Sequence, residues 1–407
     1  MLNRGNSNPF NIIVIVAALG YFVDIYDLIL FSIVRVPSLQ AIGIAPDQIK
    51  NSGVFLLNMQ MIGMLLGGIV WGILGDKKGR LSTLFLTILL YSLANIANGF
   101  VQNLNQYAIL RLIAGFGLAG ELGIGITLVS EVMTKEARGW GTSIVSGIGI
   151  VGATLAFFVS QWGWREAYWV GGVLGLLLLV LRVYIHESGM FDKLKETSAK
   201  RGDFFSLLKN PKKLLKYICS IFVGIPVWFT IGILITFSKE FGEALGISSP
   251  IIPGKSIMYH YIGAALGSIT TGYISQKLKS RKKALWIAIS TLGLLSIWYF
   301  SAKECSAGLF YFIIFLLGLA QGYWAIFITV ASEQFGTNIR STATTTIPNF
   351  VRGATVPMLI WWKYMAEGMG IIQSSIIVGI VVFLLAFIAV FFLEESYGKD
   401  LDYLETD

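Results

Sequence analysis

The sequence predicts an all-α membrane protein: twelve transmembrane helices in two pseudo-symmetric six-helix bundles, with both termini cytoplasmic. Three observations lead there. Of the 407 residues, 55% are hydrophobic and only 13% charged, about half the charge of an ordinary soluble domain. Apolar runs near the roughly 20 residues that cross hydrocarbon recur twelve times. The longest polar gap, 187–214, falls after the sixth run and divides the chain six plus six.

Taken in order, the spans read 10–36, 52–75, 81–101, 105–132, 139–161 and 165–186, then 215–238, 255–276, 283–301, 306–332, 341–362 and 371–393. The predicted domains are an N-terminal bundle over 1–186, a cytoplasmic linker over 187–214 and a C-terminal bundle over 215–407 that ends in a short acidic tail. The first span follows a short polar N-terminus, and its run is too long for the apolar core of a cleaved signal peptide. The seventh carries Pro226, and the eleventh Pro348 and Pro357. Proline bends a helix where a gate must flex, so Gly224-Ile225-Pro226 marks the seventh as a candidate outer gate.

Lysine and arginine set the orientation. With both termini inside, cytoplasmic segments hold 22 of the 31 basic residues. Outer loops hold six, and Arg35, Arg111 and Arg352 lie within spans. That is a positive-inside bias. The net charge of +8 sits in short loops, so nucleic acid is not an expected partner. Cys219 and Cys305 have neither disulfide nor metal-ligand spacing and read as ordinary buried thiols. No cofactor and no metal is expected.

The two halves echo one another. Ser130-Glu131 with Arg138 recurs as Ser332-Glu333 with Arg340, each 202 residues later. Glu187-Ser188 after the sixth span is echoed by Glu395-Ser396 after the twelfth. Parallel repeats of this kind suit a transporter whose halves rock about a central site.

The loop Gly72-Ile73-Leu74-Gly75-Asp76-Lys77-Lys78-Gly79-Arg80 resembles the signature loop of the major facilitator superfamily. The run Arg111-Leu112-Ile113-Ala114-Gly115-Phe116-Gly117, closing on Ser130-Glu131 and Arg138-Gly139, is similar to the sugar-porter and metabolite:proton symporter branches. The Glu187-Ser188 and Glu395-Ser396 pairs resemble a motif of those branches, but lack its proline. The second signature loop, Gly272 to Arg281, lacks the aspartate. The resemblance implies a cytoplasmic gate in which Gly72, Asp76, Arg80, Glu131 and Arg138 interact, with Glu333 and Arg340 as the second-half counterpart. Without that resemblance the same charges read as solvated loop residues, worth 0–1 kcal/mol each.

Ionisable groups inside spans are costly and mark function. Asp24 and Asp27 lie one helical turn apart in the first span. At the helical rise Asp27 lies roughly 14 Å deep and Arg111 of the fourth span roughly 9 Å, within reach of a long side chain. The resemblance agrees, since sugar porters carry a proton-coupling aspartate and partner arginine at the matching positions Asp27 and Arg111. The expected switch pairs deprotonated Asp27 with Arg111; protonation releases the arginine, favours substrate and lets the halves rock. A static ion pair is the competing reading. Asp24 could line the cavity, share the proton or bind a cationic group, and Glu121 offers a second proton site or an inner-gate pair.

Arg352, near mid-bilayer in the eleventh span after Asn349, has no carboxylate in its own or the twelfth span. It reads as an anchor for an anionic substrate, or as a cross-half partner of Asp24 or Glu121. His260, Tyr323, Trp324, Trp228 and Tyr259 complete the candidate substrate site. Arg35, at the outer end of its span, reads as an interfacial snorkelling residue.

The function expected is proton-coupled symport of a small polar metabolite, an organic anion above others, in a bacterial inner membrane. The partners are a small molecule, protons and the lipid bilayer, with the monomer as the working unit. A sugar symporter is the first alternative, and a proton-driven exporter of amphipathic compounds the second. A receptor reusing the fold would need a large soluble domain, and a membrane enzyme a catalytic cluster; neither is in the sequence, so no enzyme activity is expected.

Overall fold

The structure, a computed structural model, describes residues 8, 10–182 and 201–405. The predicted echo at Glu187-Ser188 and most of the first part of the linker lie outside the described residues. Among those described there is helix and no strand. In chain order the long helices are α1 (Ile12–Ala41), α2 (Ile49–Lys78), α3 (Arg80–Asn98), α4 (Leu104–Val132), α5 (Lys135–Ile150 and Gly152–Ser160) and α6 (Trp164–Arg182). There follow α7 (Pro211–Ile235), α8 (Pro253–Leu278), α9 (Arg281–Ser301), α10 (Ala307–Glu333), α11 (Arg340–Gly353 and Thr355–Met369) and α12 (Ile371–Phe392). Asn11 and Asn103 cap α1 and α4 with side-chain oxygens, and Asn210 with Pro211 starts α7, as helix N-termini prefer.

Ten of the helices in the described residues are long and apolar enough to cross a membrane. The two that fall short, α8 and α11, occupy the predicted eighth and eleventh spans. Their lower hydropathy has a structural reason. The first part of α11 is buried on every side, and Thr342, Thr344, Thr345 and Thr346 are all inaccessible. A helix wrapped in protein need not be apolar all round.

Four helices are interrupted near their middles, and the interruptions repeat. The break in α4 is at Ala119-Gly120 and that in α10 at Gly322-Tyr323; α5 breaks at Val151 and α11 at Ala354. The 202-residue echo of the loops thus extends into the helices. Close packing demands glycine at these breaks: a Cβ on Gly322 would strike the Gly267 backbone of α8, and one on Gly123 the Thr345 backbone of α11. The seventh helix leaves α-helical winding just after Pro226, continuing as a π-helix over Thr230–Ile235.

The first and last six helices meet along α2 with α11, α4 with α11, α5 with α8, and α1 with α8. The start of α1 and the C-terminal segment lie at the same end: the Asn11 side chain reaches Met133 beyond α4, and residues 393–405 cross beneath α10 and α11. Cys219 is buried as expected, but Cys305 is only half-buried, in the loop after α9.

Candidate functional site

A cavity sits between the halves at mid-height. Tyr21 and Ile25 of α1, Trp228 of α7, Tyr261 of α8, Gln321 and Trp324 of α10 and Arg352 of α11 line it. About 20 Å³ is open to the centre of a water-sized sphere, room for about one water. The site is therefore occluded. A larger hollow of about 1120 Å³ lies elsewhere, between α9 and α12. It opens on the side where Leu294 and Ile380 are exposed, away from every candidate site residue.

Arg352 is the charge on the cavity wall. It is 1% exposed, and its guanidinium carbon stands 6.0 Å from the ring centres of both Trp228 and Trp324. Its Nη1 donates to Asn349 Oδ1 at 3.3 Å, and its Nη2 lies 3.8 Å from Asp24 Oδ2. Of the two readings left open by the sequence, the ion pair with Asp24 across the halves is the one made here. The Trp324 indole donates to the Tyr21 hydroxyl at 3.0 Å, so α1 and α10 fix one side of the cavity.

Several predicted substrate residues lie elsewhere. Tyr259 is 38% exposed and stacks on Tyr311, outside the cavity. It lies one residue from His260, about 100° around the helix, and only one of the two can face inward. The buried His260 sits behind the wall, with Nε2 2.9 Å from Gln321 Oε1, so Gln321 meets the cavity in its place. Tyr323 donates to the Val223 carbonyl at 3.0 Å and packs α10 on α7. Asn349 donates to the Ala119 and Thr345 carbonyls, both at 2.7 Å, and ties α11 to the break in α4. Gln321 was not visible in advance because its only signal is a polar residue in an apolar run.

The expected Asp27–Arg111 ion pair is not made in this structure. Asp27 packs against Gly171 of α6, and neither carboxylate oxygen accepts a hydrogen bond from a described residue. Arg111 stands instead between the rings of Phe31 and Tyr168, at 5.5 and 5.8 Å. Asn95 of α3 stands beside Asp27, its own amide atoms also unbonded. A buried polar group without a partner is expensive; here an acid, a base and an amide share one pocket. Glu121 opens the second part of α4 and acts electrostatically on Asp24.

At the end where α1 starts and residues 393–405 lie, the signature residues form a closed network. Arg80 Nη2 lies 2.8 Å from Glu131 Oε1 and 3.4 Å from Asp76 Oδ1. Arg340 reaches the same Glu131 oxygen at 3.2 Å from the other half. The pseudo-symmetric counterpart joins Glu333 to Arg281 at 3.0 Å and, more loosely, to Arg138 at 3.8 Å. Ser130 and Ser332, identical positions of the repeat, face each other at 3.2 Å. Asp76 accepts from the Ser341 and Thr342 amides and the Thr342 hydroxyl at 3.1, 2.7 and 2.7 Å. A carboxylate of α2 thereby caps the N-terminus of α11, where negative charge is favoured. Gly72 lets α2 approach the Thr342 backbone. Sequence reading missed Arg281; its signal was the second signature loop, of which it is the last residue. It also missed the opposite end, where Arg35 is buried and pairs with Glu240 at 3.3 Å over the Phe237 ring. Arg35 does not snorkel.

The C-terminal segment straps the same network. Leu401 is buried, and its carbonyl accepts from Arg340 and Thr337. Lys399 accepts from Arg138, and Ser396 donates to Glu333 at 2.8 Å. Glu395 accepts from Ser280 and from the Arg281, Lys282 and Tyr397 amides. Burial pushes this carboxyl up, but those donors outweigh it and hold its pKa below the ordinary glutamate value. A lowered folded pKa stabilises above the unfolded value and is lost as pH falls through the folded one. Amide protection over 396–405, corrected for the intrinsic exchange rate, is therefore expected to stay high at neutral pH and to fall only in acid below the usual glutamate range. Glu395→Gln lowers it already at neutral pH.

The model of the Major Facilitator Superfamily matches residues 17–354. The chain belongs to this superfamily. Among solved structures it resembles the proton:xylose symporter XylE bound to 6-bromo-6-deoxy-D-glucose, with a TM-score of 0.76 and 17% identity over 96% of this chain and 97% of that one; the likeness is one of fold. Among superfamily relatives, a Bacillus subtilis (strain 168) protein named provisionally as the niacin/nicotinamide transporter NiaP is 28% identical over 85% of this chain and 86% of its own. The 3-(3-hydroxy-phenyl)propionate transporter of Escherichia coli (strain K12) is also 28% identical, over 85% and 89%. The niacin transporter NiaP of Acinetobacter baylyi is 24% identical over 95% and 94%. These superfamily relatives are membrane transporters, not enzymes. Among the described residues no cluster of His, Cys, Asp and Glu is placed to hold a metal.

Proposed function

We propose that this superfamily member is a proton-coupled symporter of a small organic anion, in particular a flat aromatic or heteroaromatic monocarboxylate. The carrying observation is Arg352, a buried guanidinium on the wall of the central cavity between two tryptophans. The charge suits a carboxylate, and the rings suit an aromatic body. The names of the relatives point the same way: niacin and hydroxyphenylpropionate are ring-bearing carboxylic acids. The proposed architecture is twelve spans in bundles 1–186 and 215–407 joined by the 187–214 linker, with the termini end cytoplasmic because the basic loops lie there. The proposed setting is a bacterial inner membrane, with the monomer as the working unit.

In this reading Asp27 and Arg111 form the coupling switch. The separated pair seen here corresponds to the protonated state, with Arg111 parked on aromatic rings. The Glu131–Arg340 and Glu333–Arg138 pairs close the cytoplasmic gate, and Arg35–Glu240 closes the outer one. Thermal stabilisation of the purified protein tests the substrate class. Benzoate and nicotinate are expected to stabilise it, and benzamide, hexoses and lipophilic cations are not. Stabilisation by sugars or lipophilic cations alone would overturn the anion reading. Asp27→Asn is expected to abolish gradient-driven uptake while counterflow exchange persists; gradient-driven uptake in the variant would place the switch elsewhere.

A further inference from the structure

Asp24 is a carboxylate in an odd position. It is fully buried, yet neither oxygen accepts a hydrogen bond from a described residue. Its ion pair with Arg352 is long, at 3.8 Å. Arg352 in turn spends Nη1 on Asn349, while its Nε bonds to no described residue. The Nε–Nη2 edge is the fork that grips a carboxylate with two parallel hydrogen bonds; here its Nε bonds to no described residue and its Nη2 faces Asp24 at 3.8 Å. The arrangement is one half-satisfied acid beside one half-satisfied base, on the wall of the central cavity.

We propose that the Nε–Nη2 fork of Arg352 is the seat for a single substrate carboxylate, that Asp24 is the resident counter-ion this carboxylate displaces, and that Asp24 takes up one proton as it is displaced. The inference rests on the anion reading above and adds to it a residue, a stoichiometry and a specificity. At a pH high enough to ionise Asp24, the unliganded site holds Arg352 as a cation and Asp24 as an anion. Afterwards it holds Arg352 with the substrate carboxylate, and Asp24 as a neutral acid; the bond formed is the Asp24 O–H, with its proton drawn from solvent. No other described group facing Asp24 can take over from Arg352. The charged and titratable neighbours are Glu121 of α4, Asp27 one turn along α1, Tyr21 of α1 and Tyr261 of α8. Glu121 repels an anionic Asp24, Asp27 is neutral in the protonated state assigned above, and the phenols are neutral at working pH. Losing the arginine therefore forces protonation.

Two consequences follow for recognition. One seat and one displaced charge select monocarboxylates over dicarboxylates, because a second carboxylate beside Asp24 would face Glu121. Amides of the same acids cannot displace Asp24, since they bring no charge to Arg352.

The test is proton uptake and affinity measured on the purified full-length protein with benzoate and nicotinate as probes. Titration calorimetry in buffers of different ionisation enthalpy counts the protons. Above the Asp24 pKa, where the acid starts ionised, the wild type is expected to take up at least one proton per carboxylate bound, and its affinity to fall about tenfold per unit as pH rises. Asp24→Asn takes up one proton fewer, binds more tightly at pH 8 and loses that part of the pH dependence. Asp24→Glu restores both. Binding by the wild type without proton uptake overturns the exchange, and needs no variant to fold. Equal proton counts in wild type and Asp24→Asn overturn it as well, leaving the anion reading intact. Failure of every carboxylate to bind the wild type removes both.

Discussion

Arg352→Gln abolishes carboxylate binding and uptake, while the protein still reaches the membrane. Truncating one partner of a buried, hydrogen-bonded charge pair costs about 2–5 kcal/mol, which is roughly 30- to several thousand-fold in affinity. Here the charge stands in a cavity that holds about one water, so solvent cannot replace it. Arg352→Lys keeps the cation and loses the planar fork; it is expected to retain weak binding and to lose the preference for carboxylates over other anions. The glutamine variant also strands Asp24, which could lower stability on its own account. Arg352→Gln combined with Asp24→Asn removes that complication, since both charges go together. The double variant is expected to regain thermal stability and to remain unable to bind benzoate. If it binds benzoate as the wild type does, the substrate site is not at Arg352.

What could be read in advance followed from features repeated or spaced along the chain. Glu131 and Arg138 recur 202 residues on, and the structure sets the copies face to face as swapped pairs, Glu131 with Arg340 and Glu333 with Arg138. Arg352 stood out because an unneutralised cation is rare at mid-bilayer depth. What could not be read was rotation and neighbourhood. Tyr259 and His260 differ by one step of a helix, and a single step decides between lipid and core. Depth placed Asp27 beside Arg111, but depth says nothing of the direction in which either side chain leaves its helix; Asp27 turns towards Gly171 and Arg111 towards Phe31. Arg35 looked interfacial because its partner, Glu240, is 205 residues away and no repeat links them. Gln321 became part of the site only because His260 stands behind it.

The second large effect belongs to the gate. Glu131→Gln shifts the conformational balance towards the state open at the cytoplasmic end. Glu131 Oε1 is shared by two arginines, Arg80 from its own half and Arg340 from the other, and all three side chains are inaccessible. Removing the anion leaves Arg340 without its carboxylate and Arg80 with Asp76, and breaking a buried pair costs roughly 3–5 kcal/mol. The arginines retain other acceptors: Gly75 and Thr337 for Arg80, Phe335 and Leu401 for Arg340. The lower end of that range is therefore expected, about two orders of magnitude in the equilibrium. Because Arg340 belongs to the other half, its share of the cost falls on the closed state alone, whereas the share of Arg80 is common to both states. The counterpart Glu333 behaves differently. Its strong bonds are to Arg281 and Ser396 within its own half, and its cross-half contact with Arg138 is long. Glu333→Gln is thus expected to lower thermal stability more than it shifts the gate. The separation is measurable as labelling of a single cysteine introduced at the cytoplasmic mouth. Labelling accelerates strongly in Glu131→Gln and little in Glu333→Gln. Equal acceleration in both would mean that the two halves of the latch carry the closed state equally, against the 3.2 and 3.8 Å spacings of the cross-half pairs.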